Sequence, residues 1–450
     1  MSPIVAIALL LQAGAPPAPP AQDTSSGRPC RVAVDSMGHF AQVTHARGDT
    51  TSHGGGGVLA HCVGTGTTIS ADSFAHYSGP GRLDLIGHVQ IRDTALSLDA
   101  NYTSYFLRDE RLEAHKNVVA INRRTGSVLR GPNLKYWRAA KGIRDTVEMY
   151  ATTRPTVEYR QTTTGDSAAT EPYVIVADRI RMKGDDRMWA GGKVTVDRSD
   201  FVSRSDSMQL DETKGFGVLV GSPHVEGRGR EAAGGKGYTL VGTRIELGLA
   251  NRAVNEVKAL GHAKATGADW TLTADTIQLA IADRLLQQTF AWGDSTRPRA
   301  VSPLNTITAD SLAIDSPGEI LKETRAFGHA LSTAKRDSTT KPADVDWIAG
   351  DSITADFAQV RDSVAQREQT KLRQVIARGS ARALTHHFDN RDSTSGPAIN
   401  YSRGRQIEVA LKQDRIDQVV VAGKADGVHL EPRPPIVADI LKRTKPPASP

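Results

Sequence analysis

The sequence has few aromatic residues. Its 450 residues include 9 Phe, 9 Tyr and 5 Trp against 41 Gly, although 39% of them are hydrophobic and 24% are charged. This composition is that of a folded protein, and it excludes the disordered and fibrous classes. The core must consist mostly of Val, Leu, Ile and Ala, which favours many short, regular elements over bulky aromatic anchors.

Cysteine is nearly absent as well. Cys30 and Cys62 are the only two, and the segment between them contains GGGG at 54–57. In an oxidising compartment the two would be able to pair and staple this segment, and we predict residues 22–67 to be irregular. Two unpaired thiols are the alternative.

No block of charge of one sign occurs. The chain has 56 Lys and Arg and 50 Asp and Glu, a net charge of +6 and a pI of about 9.2, and the two signs are interspersed. A general attraction to phosphate is therefore weak. Because no run of Lys and Arg is interleaved with aromatic residues, we do not expect nucleic-acid binding.

No hydrophobic run is long enough to cross a bilayer, which takes about twenty residues. The apolar run at 4–11 instead has the length of a signal-peptide core, and the Pro-rich stretch after it is typical of a cleavage region. We expect cleavage near Ala21. Residues 1–21 are therefore predicted to be a signal peptide that directs export without a lipid anchor.

Motifs for catalysis and for metal binding are also missing. The sequence contains no GxSxG, HExxH, Walker or GxGxxG phrase. His45, His53 and His61 lie in a Gly-rich setting, and the pair 386–387 precedes Asp389, but no helix brings either set together as ligands. We therefore predict no enzyme, no cofactor and no metal site.

The chain does contain a repeat. A phrase of the form apolar-x-Ala-Asp-x-apolar returns along its length, with Asp at 72, 99, 178, 206, 275 and 310. A carboxylate at a fixed strand or turn position typically accepts backbone N–H bonds and stays solvated, and we expect this structural role over a catalytic or calcium-binding one. The phrases are ISADSFAHY at 69–77, LSLDANYTSY at 96–105, VIVADRIRM at 174–182, FVSRSDSMQL at 201–210, LTADTIQL at 272–279, ITADSLAI at 307–314 and ITADFAQV at 353–360.

A second phrase follows each of these, an apolar stretch that ends in Gly and continues into a short strand. Examples are LDLIGHVQI at 83–91, MWAGGKVTV at 188–196 and VKALGHAKA at 257–265. Apolar residues alternate within them, which places them on one face of a strand, and turn formers separate them at about ten-residue spacings. One repeat of about thirty residues thus holds about three strands, and it must stack on its neighbours to bury its apolar face.

These patterns predict an all-β, elongated solenoid of repeated short antiparallel strands over residues 68–430, with possible sub-modules at 68–160 and 170–430 and a Pro-rich tail at 431–450. The pattern places four cations at the mouth of this interior, where their side chains would contact lipid phosphates or remain in solvent. They are Arg92, Lys116, Lys193 and Arg198. The interior positions, either plain core or the lining of a lipid groove, are Leu85, Val89, Ile91, Val118, Val174, Val176, Val194, Val196, Val218, Val220 and Ile245.

The ordered alternation of the "A-D" and "G-x-V" phrases over about 69–430 resembles the OstA-like superfamily, the periplasmic bridge proteins of lipopolysaccharide transport and the N-terminal domain of the outer-membrane assembly protein. The resemblance implies an open β-jellyroll (β-taco-like) whose apolar groove receives the acyl chains of lipid A. It also implies a periplasmic location, end-to-end strand pairing with other OstA-like proteins, and an outer-membrane assembly porin as a partner. The chain is longer than a minimal bridge protein and lacks the aromatic girdles of an outer-membrane barrel.

Two other classes of protein compete with this interpretation. A secreted structural or adhesive β-solenoid would bind a protein or polysaccharide on its outer surface and have a closed, filled interior. A β-helical polysaccharide lyase would need acidic and basic residues clustered on one sheet face, and the sequence shows no such cluster.

Overall fold

The described part of the chain folds mostly into β-strands. The computed structural model describes residues 30–160, 171–228, 237–250, 253–267, 270–335, 345–361, 368–387, 397–412 and 415–431. Strands make up 74% of the described residues, which confirms the prediction of an all-β, jellyroll-like fold. Within the described ranges the helical content is one 3-10 turn, Pro317–Glu319. The predicted signal peptide lies outside them, as does the predicted tail beyond Glu431.

All strand pairs with a defined register are antiparallel, as the turn spacing predicts. The strands in chain order are β1 (Val32–Ser36), β2 (His39–Thr44), β3 (Thr50–Cys62), β4 (Thr68–Tyr77), β5 (Arg82–Arg92), β6 (Leu96–Phe106), β7 (Arg111–Asn122), β8 (Val128–Trp137), β9 (Glu148–Thr152), β10 (Thr156–Tyr159), β11 (Tyr173–Val176), β12 (Arg179–Lys183), β13 (Arg187–Arg198), β14 (Phe201–Asp211), β15 (Phe216–Val220), β16 (His224–Gly227), β17 (Tyr238–Val241), β18 (Arg244–Ala250), β19 (Ala253–Thr266), β20 (Thr271–Ala282), β21 (Leu285–Trp292), β22 (Arg299–Val301), β23 (Asn305–Thr308), β24 (Ser311–Asp315), β25 (Glu323–Ala334), β26 (Asp346–Arg361), β27 (Glu368–His387), β28 (Ala398–Lys412), β29 (Arg415–Ala422) and β30 (Asp426–Leu430).

The chain divides into two compact units. Among the described residues, unit 1 comprises 30–113 with 137–147, and unit 2 comprises 114–136 with the described residues from 148 onward. This division differs from the sub-modules expected at 68–160 and 170–430. The segment 137–147 belongs with unit 1 because Arg138 returns to it: its backbone N–H donates to the Glu110 carbonyl at 3.0 Å, and its guanidinium lies 3.5 Å from the Asp93 carboxylate.

Long strands in unit 2 are bent in the middle, so that their two halves pair with different neighbours. In β13, residues 187–191 pair with β12 and residues 195–197 pair with β11. The two residues between them, Gly192 and Lys193, have φ values of 81° and 48°. Two consecutive left-handed residues form a bulge that turns the strand. The same bulge recurs in β19 at 261–262, in β25 at 328–329 and in β27 at 379–380.

This row of bends, called here the corner, separates two half-sheets. Half-sheet A contains β9, β12, β15 and β18, together with the halves of the long strands that pair with them. Half-sheet B contains β10, β11, β16 and β17, together with the other halves of the long strands. On the side away from the corner each half-sheet ends in hairpin turns, such as 199–200 in half-sheet B and 212–215 in half-sheet A. We call this side the mouth.

The inner face of half-sheet A carries a continuous cross-strand row in which large and small side chains largely alternate. Such a row allows facing side chains to interdigitate at high packing density. Every member is buried, so most of the interior of unit 2 at this row is filled. In register order the row is Ala151, Ile180, Ala190, Met208, Leu219, Ile245, Ala259, Ile277, Ala291, Leu312, Ala326, Ile353, Ala377 and Ile407.

The described residues at the start of unit 1, from 30 onward, form regular strands, whereas an irregular segment is expected at 22–67; residues 22–29 of that segment lie outside the described ranges. β1 and β2 both pair with β3, and β3 pairs with β4. The GGGG stretch lies inside β3: a β-carbon at Gly54 would overlap the Phe74 ring, and Gly56 and Gly57 have φ values of 79° and 86°. The four glycines therefore form a bend of the same kind as in unit 2 and do not interrupt the sheet.

Cys30 and Cys62 are joined by a disulfide, with a Cα–Cα distance of 5.1 Å. Both cysteines are buried. The Cys30 backbone N–H also donates to the Glu110 carboxylate at 2.8 Å, and the Tyr105 hydroxyl donates to the same buried carboxylate. Burial of Tyr105, followed by its contact with Glu110, raises the pKa of the Tyr105 hydroxyl. The N-terminus of the described chain is thus tied into unit 1 both covalently and through a buried carboxylate.

Candidate apolar cleft

An apolar cleft opens between the two half-sheets of unit 2. Its cavity volume is about 50 Å³, below the about 300–1,000 Å³ of typical ligand sites, so an acyl chain would need the half-sheets to part. Ser203 is its only lining residue that is neither aliphatic nor aromatic. Half-sheet B contributes Tyr159, Tyr173, Ile175, Val196, Phe201 and Ser203, and half-sheet A contributes Met208, Leu210, Leu219, Leu247, Leu249 and Val254.

The alternation of the strands explains why these residues meet. Ile175, Val196 and Ser203 are cross-strand partners on β11, β13 and β14, so they form one row across half-sheet B. Met208 and Leu219 form the corresponding pair on half-sheet A. Because the halves of β13 and β14 are joined only through the corner, the two inner rows face each other across the cleft.

Polar groups gather where the cleft meets the mouth. Arg198, the last residue of β13, places its guanidinium carbon 4.2 Å from the centre of the Tyr173 ring. Its Nε and Nη2 atoms donate to the two carboxylate oxygens of Asp200 at 2.5 and 2.7 Å. This bidentate geometry is the strong form of an ion pair. The positive charge of Arg198 is therefore neutralised within the protein.

A tyrosine joins the two half-sheets across the mouth. Tyr159 ends β10 in half-sheet B, and its hydroxyl donates to the Glu212 carboxylate in the turn after β14 at 2.6 Å. The same hydroxyl lies 3.3 Å from the carbonyl oxygen of Asp185, which belongs to the turn before β13. Both partners are in turns of half-sheet A. The contact therefore fixes the separation of the half-sheets at this end of the cleft.

Eight of the eleven interior positions predicted from the sequence are buried. They are Leu85, Val89 and Ile91 in unit 1 and Val118, Val194, Val196, Val218 and Ile245 in unit 2. Of these eight, Val196 lines the cleft. Their part in lipid binding stays a prediction.

Three of the predicted interior positions are wrong. Val174 and Val176 are only partly buried and flank Ile175, which is the buried residue of β11 that faces the cleft. Val220 is 40% exposed, whereas its neighbour Leu219 has no exposed surface. The three positions fall in two uninterrupted apolar runs, YVIV and VLV. Without polar residues between the apolar ones, the sequence does not show which side chains face inward.

The cations expected at the mouth occupy three different environments. Lys116 and Lys193 have φ values of 63° and 48°, and Lys193 is part of the corner, on the side away from the mouth. Arg92 is paired with Asp99 in unit 1 at 2.6 Å. Only Arg198 lies at the mouth of the cleft, as predicted.

The repeated Asp residues of unit 2 lie at the corner. Asp178 and Asp206 each donate a backbone N–H to the carbonyl of a corner glycine, at 2.9 Å for Gly192 and 3.1 Å for Gly221. The Asp275 carboxylate accepts the backbone N–H groups of residues 295 and 296 at 2.8 and 3.0 Å. The backbone bond from residue 296 is the main reason why the pKa of Asp275 is lowered. These hydrogen bonds link the Asp residues to the segments that bend at the corner.

Over the described ranges no three His, Cys, Asp or Glu side chains are grouped as metal ligands. His61 instead pairs with Asp35 at 2.8 Å, and His386 pairs with Asp346 at 3.0 Å. The described residues also form no helix that is long and apolar enough to cross a membrane.

Comparisons with known proteins give similarity to solved structures alone. No family model and no curated protein matches the sequence. Among solved structures, the chain is similar to LptH from Pseudomonas aeruginosa, described as the LptA-homologous periplasmic component of the conserved lipopolysaccharide transport device, with 17% identity. The match covers 33% of this chain and 92% of LptH, with a TM-score of 0.23. At that score we transfer no property of LptH to this chain.

Proposed function

We propose that this protein binds lipopolysaccharide in the periplasm, holds acyl chains of lipid A in the cleft of unit 2, and passes the lipid toward the outer membrane. The observation that carries the proposal is the lining of the cleft. Aliphatic and aromatic side chains form both walls, and the polar groups Arg198, Asp200 and Glu212 lie at its mouth. A cavity of this kind suits a molecule with a hydrocarbon tail and a polar head.

The mouth supplies a route of entry from the side. Half-sheets A and B are continuous only through the corner, and at the mouth their hairpin turns are bridged by side-chain contacts such as that of Tyr159 with Glu212. Parting the half-sheets there would break side-chain contacts but leave the backbone ladders intact. A tail would be able to enter sideways while its head remains in water.

Strand pairing with other OstA-like proteins, and with an outer-membrane assembly porin, is part of the same proposal. Among the described residues β30 pairs only with β28, and all five of its residues are exposed. β2 pairs only with β3 within the same set, and its six residues are exposed. Each strand presents an unpaired edge, which is the requirement for adding a strand from another molecule.

A structural or adhesive solenoid is the second candidate, and a specific observation favours it. Ile245, Ile277 and Ile407 on the inner row of half-sheet A have no exposed surface. Away from the cleft, the interior at these positions is therefore as dry and filled as an ordinary core. Under this alternative the cleft would be a packing gap and no lipid would enter it.

The experiment that separates the two fills the cleft. Replacing Val196, which lines the cleft, by Trp should abolish binding of a fluorescent acyl probe. The variant purified from the envelope should also carry no lipopolysaccharide. Thr195→Trp, on the opposite face of the same strand, is the matched control and should bind as the parent does. Circular dichroism of both variants checks that they fold, and Ser203→Phe provides a second way to fill the space.

Equal binding by all of these folded proteins would contradict the proposal and favour the structural solenoid. The same holds if the parent protein neither binds the probe nor carries lipid from the envelope.

A further inference from the structure

Two tyrosines lie side by side at the end of the cleft. Tyr159 and Tyr173 are direct cross-strand partners on β10 and β11, and both line the cleft. The Tyr159 hydroxyl is engaged with Glu212 and with the Asp185 carbonyl. The Tyr173 hydroxyl oxygen is buried, and in the part of the chain that the structure describes it has no hydrogen-bond partner.

An unpaired hydroxyl at this position is costly to the folded protein, because a buried polar group without a partner loses its hydrogen bonds to water. A phenylalanine would fill the same space without that loss. Burial also raises the pKa of Tyr173, so the hydroxyl keeps its proton at neutral pH and remains a donor. The residue is better suited to an oxygen atom supplied by a ligand than to packing alone.

The charges beside Tyr173 restrict what that ligand is. Arg198 stacks on the Tyr173 ring, and two of its N–H groups donate to Asp200 through short bonds. The charges of Arg198 and Asp200 neutralise each other, so this pair does not attract the carboxylate of a ligand. The negative charge of Asp200 would also repel such a carboxylate. A neutral carbonyl oxygen would meet neither difficulty.

We infer that Tyr173 is a specificity-determining residue of the cleft, whose hydroxyl donates a hydrogen bond to the carbonyl oxygen at the head of an ester- or amide-linked acyl chain. This inference rests on the proposed function, because it requires the tail to lie in the cleft with its polar head at the mouth. In that orientation the first oxygen of the chain reaches the end of the cleft that Tyr173 lines. The cleft then favours esterified chains over hydrocarbons and over free fatty acids.

The test compares three ligands of equal chain length: a fatty acid methyl ester, the free fatty acid and the alkane. Their affinities are measured by displacement of a fluorescent acyl probe from the parent protein, from Tyr173→Phe and from Tyr105→Phe. We expect the parent to bind the ester about tenfold more tightly than the alkane, the ratio that corresponds to one hydrogen bond of about 1.4 kcal/mol. Tyr173→Phe should lower the ester affinity to that of the alkane and leave the alkane affinity unchanged.

Tyr105→Phe is the matched control, because Tyr105 lies in unit 1 and does not line the cleft. It loses the hydrogen bond to Glu110, so its Tm should fall while its ratio of ester to alkane affinity stays that of the parent. Tyr173→Phe should keep or raise the Tm, because no hydrogen bond within the described chain is lost.

An unchanged ratio in Tyr173→Phe, or a fall in Tm like that of Tyr105→Phe, would overturn this inference and leave the proposed function standing. Tighter binding of the free acid than of the ester by the parent would overturn it as well. Failure of the parent to bind any of the three ligands would instead overturn the proposed function, and the inference with it.

Discussion

The carboxylate of Asp178 lies directly against the backbone of Gly192, so close that a β-carbon at Gly192 would overlap it. The Asp178 backbone N–H also donates to the Gly192 carbonyl at 2.9 Å. The same relationship joins Asp310 to Gly328. The two phrases that repeat along the sequence are therefore the two sides of one corner, and the corner is what folds each long strand into both half-sheets.

Gly192→Ala should be among the most damaging single methyl additions in unit 2. The substitution forces a left-handed φ on alanine and pushes its methyl group into Asp178, and we expect the free energy of unfolding to fall by about 2–3 kcal/mol. Gly142→Ala is the control, because Gly142 has the same kind of φ, 82°, with nothing within 4 Å of its added β-carbon.

The control should lose only about 1 kcal/mol, the cost of the backbone conformation. Urea denaturation followed by circular dichroism measures both variants. Equal losses would mean that Asp178 does not restrict the corner.

Alternation in the sequence was sufficient to predict strands, and where a polar residue separates two apolar ones it also predicted the inner face. The polar residue Thr195 between Val194 and Val196 indicated that both valines lie on the inner face of β13, and both are buried. In the run 173–176 every residue is apolar or aromatic, so sequence alone could not show that Ile175 faces the cleft and Val174 does not. The choice depends on register with β13, which is a tertiary property.

The corner and the cleft were beyond sequence reasoning for a different reason. Asp178 and Gly192 are neighbours across two strands, and only the pairing of β12 and β13 reveals the contact. GGGG at 54–57 suggested an irregular segment because glycine has low strand propensity, whereas in the fold it forms the bend of β3. Tyr159 and Tyr173 are separated by thirteen intervening residues and meet only through the register of β10 with β11.

Neighbouring substitutions in β15 test the corrected register of the inner face. Leu219→Asp places a carboxylate in a fully buried position and should lower the free energy of unfolding by more than about 3 kcal/mol, or prevent folding. Val220→Asp should change it by less than about 1 kcal/mol, because Val220 is 40% exposed. Soluble yield and urea midpoints of the two variants give the comparison. A larger loss from Val220→Asp would show that β15 is out of register.

The disulfide should contribute strongly to unit 1. Cys30 and Cys62 are separated by 32 residues, and closing a loop of that size stabilises a fold by about 3–4 kcal/mol in the chain-entropy model. The Cys30→Ala, Cys62→Ala double variant should therefore melt earlier than the parent, and reductant should lower the Tm of the parent alone. Scanning calorimetry with and without reductant checks this. An unchanged parent Tm under reductant would show that the bridge contributes no stability.

Stability should fall at alkaline pH. Burial, with a smaller effect of the Glu319 and Asp200 charges, raises the pKa of Tyr238 to about 12 from its ordinary value of 10. The folded chain thus holds this proton more tightly than the unfolded chain. The resulting stability is complete below pH 10 and is lost as the pH rises toward 12, by up to about 3 kcal/mol.

Tyr238→Phe removes that contribution to the pH dependence. Urea midpoints at pH 9 and pH 11 should therefore move less in the variant than in the parent, although the raised pKa of Tyr173 acts in the same direction in both. Identical shifts in the two proteins would mean that Tyr238 does not hold its proton in the fold.

The most direct measurement of the central claim is photo-crosslinking to lipopolysaccharide in living cells. A photoreactive amino acid is placed at Val196, which lines the cleft, or at Thr195, which points from the other face of β13. The account predicts a lipid adduct from position 196 and none from position 195. Equal labelling at both positions, or no adduct at 196 in a folded and exported protein, would contradict it.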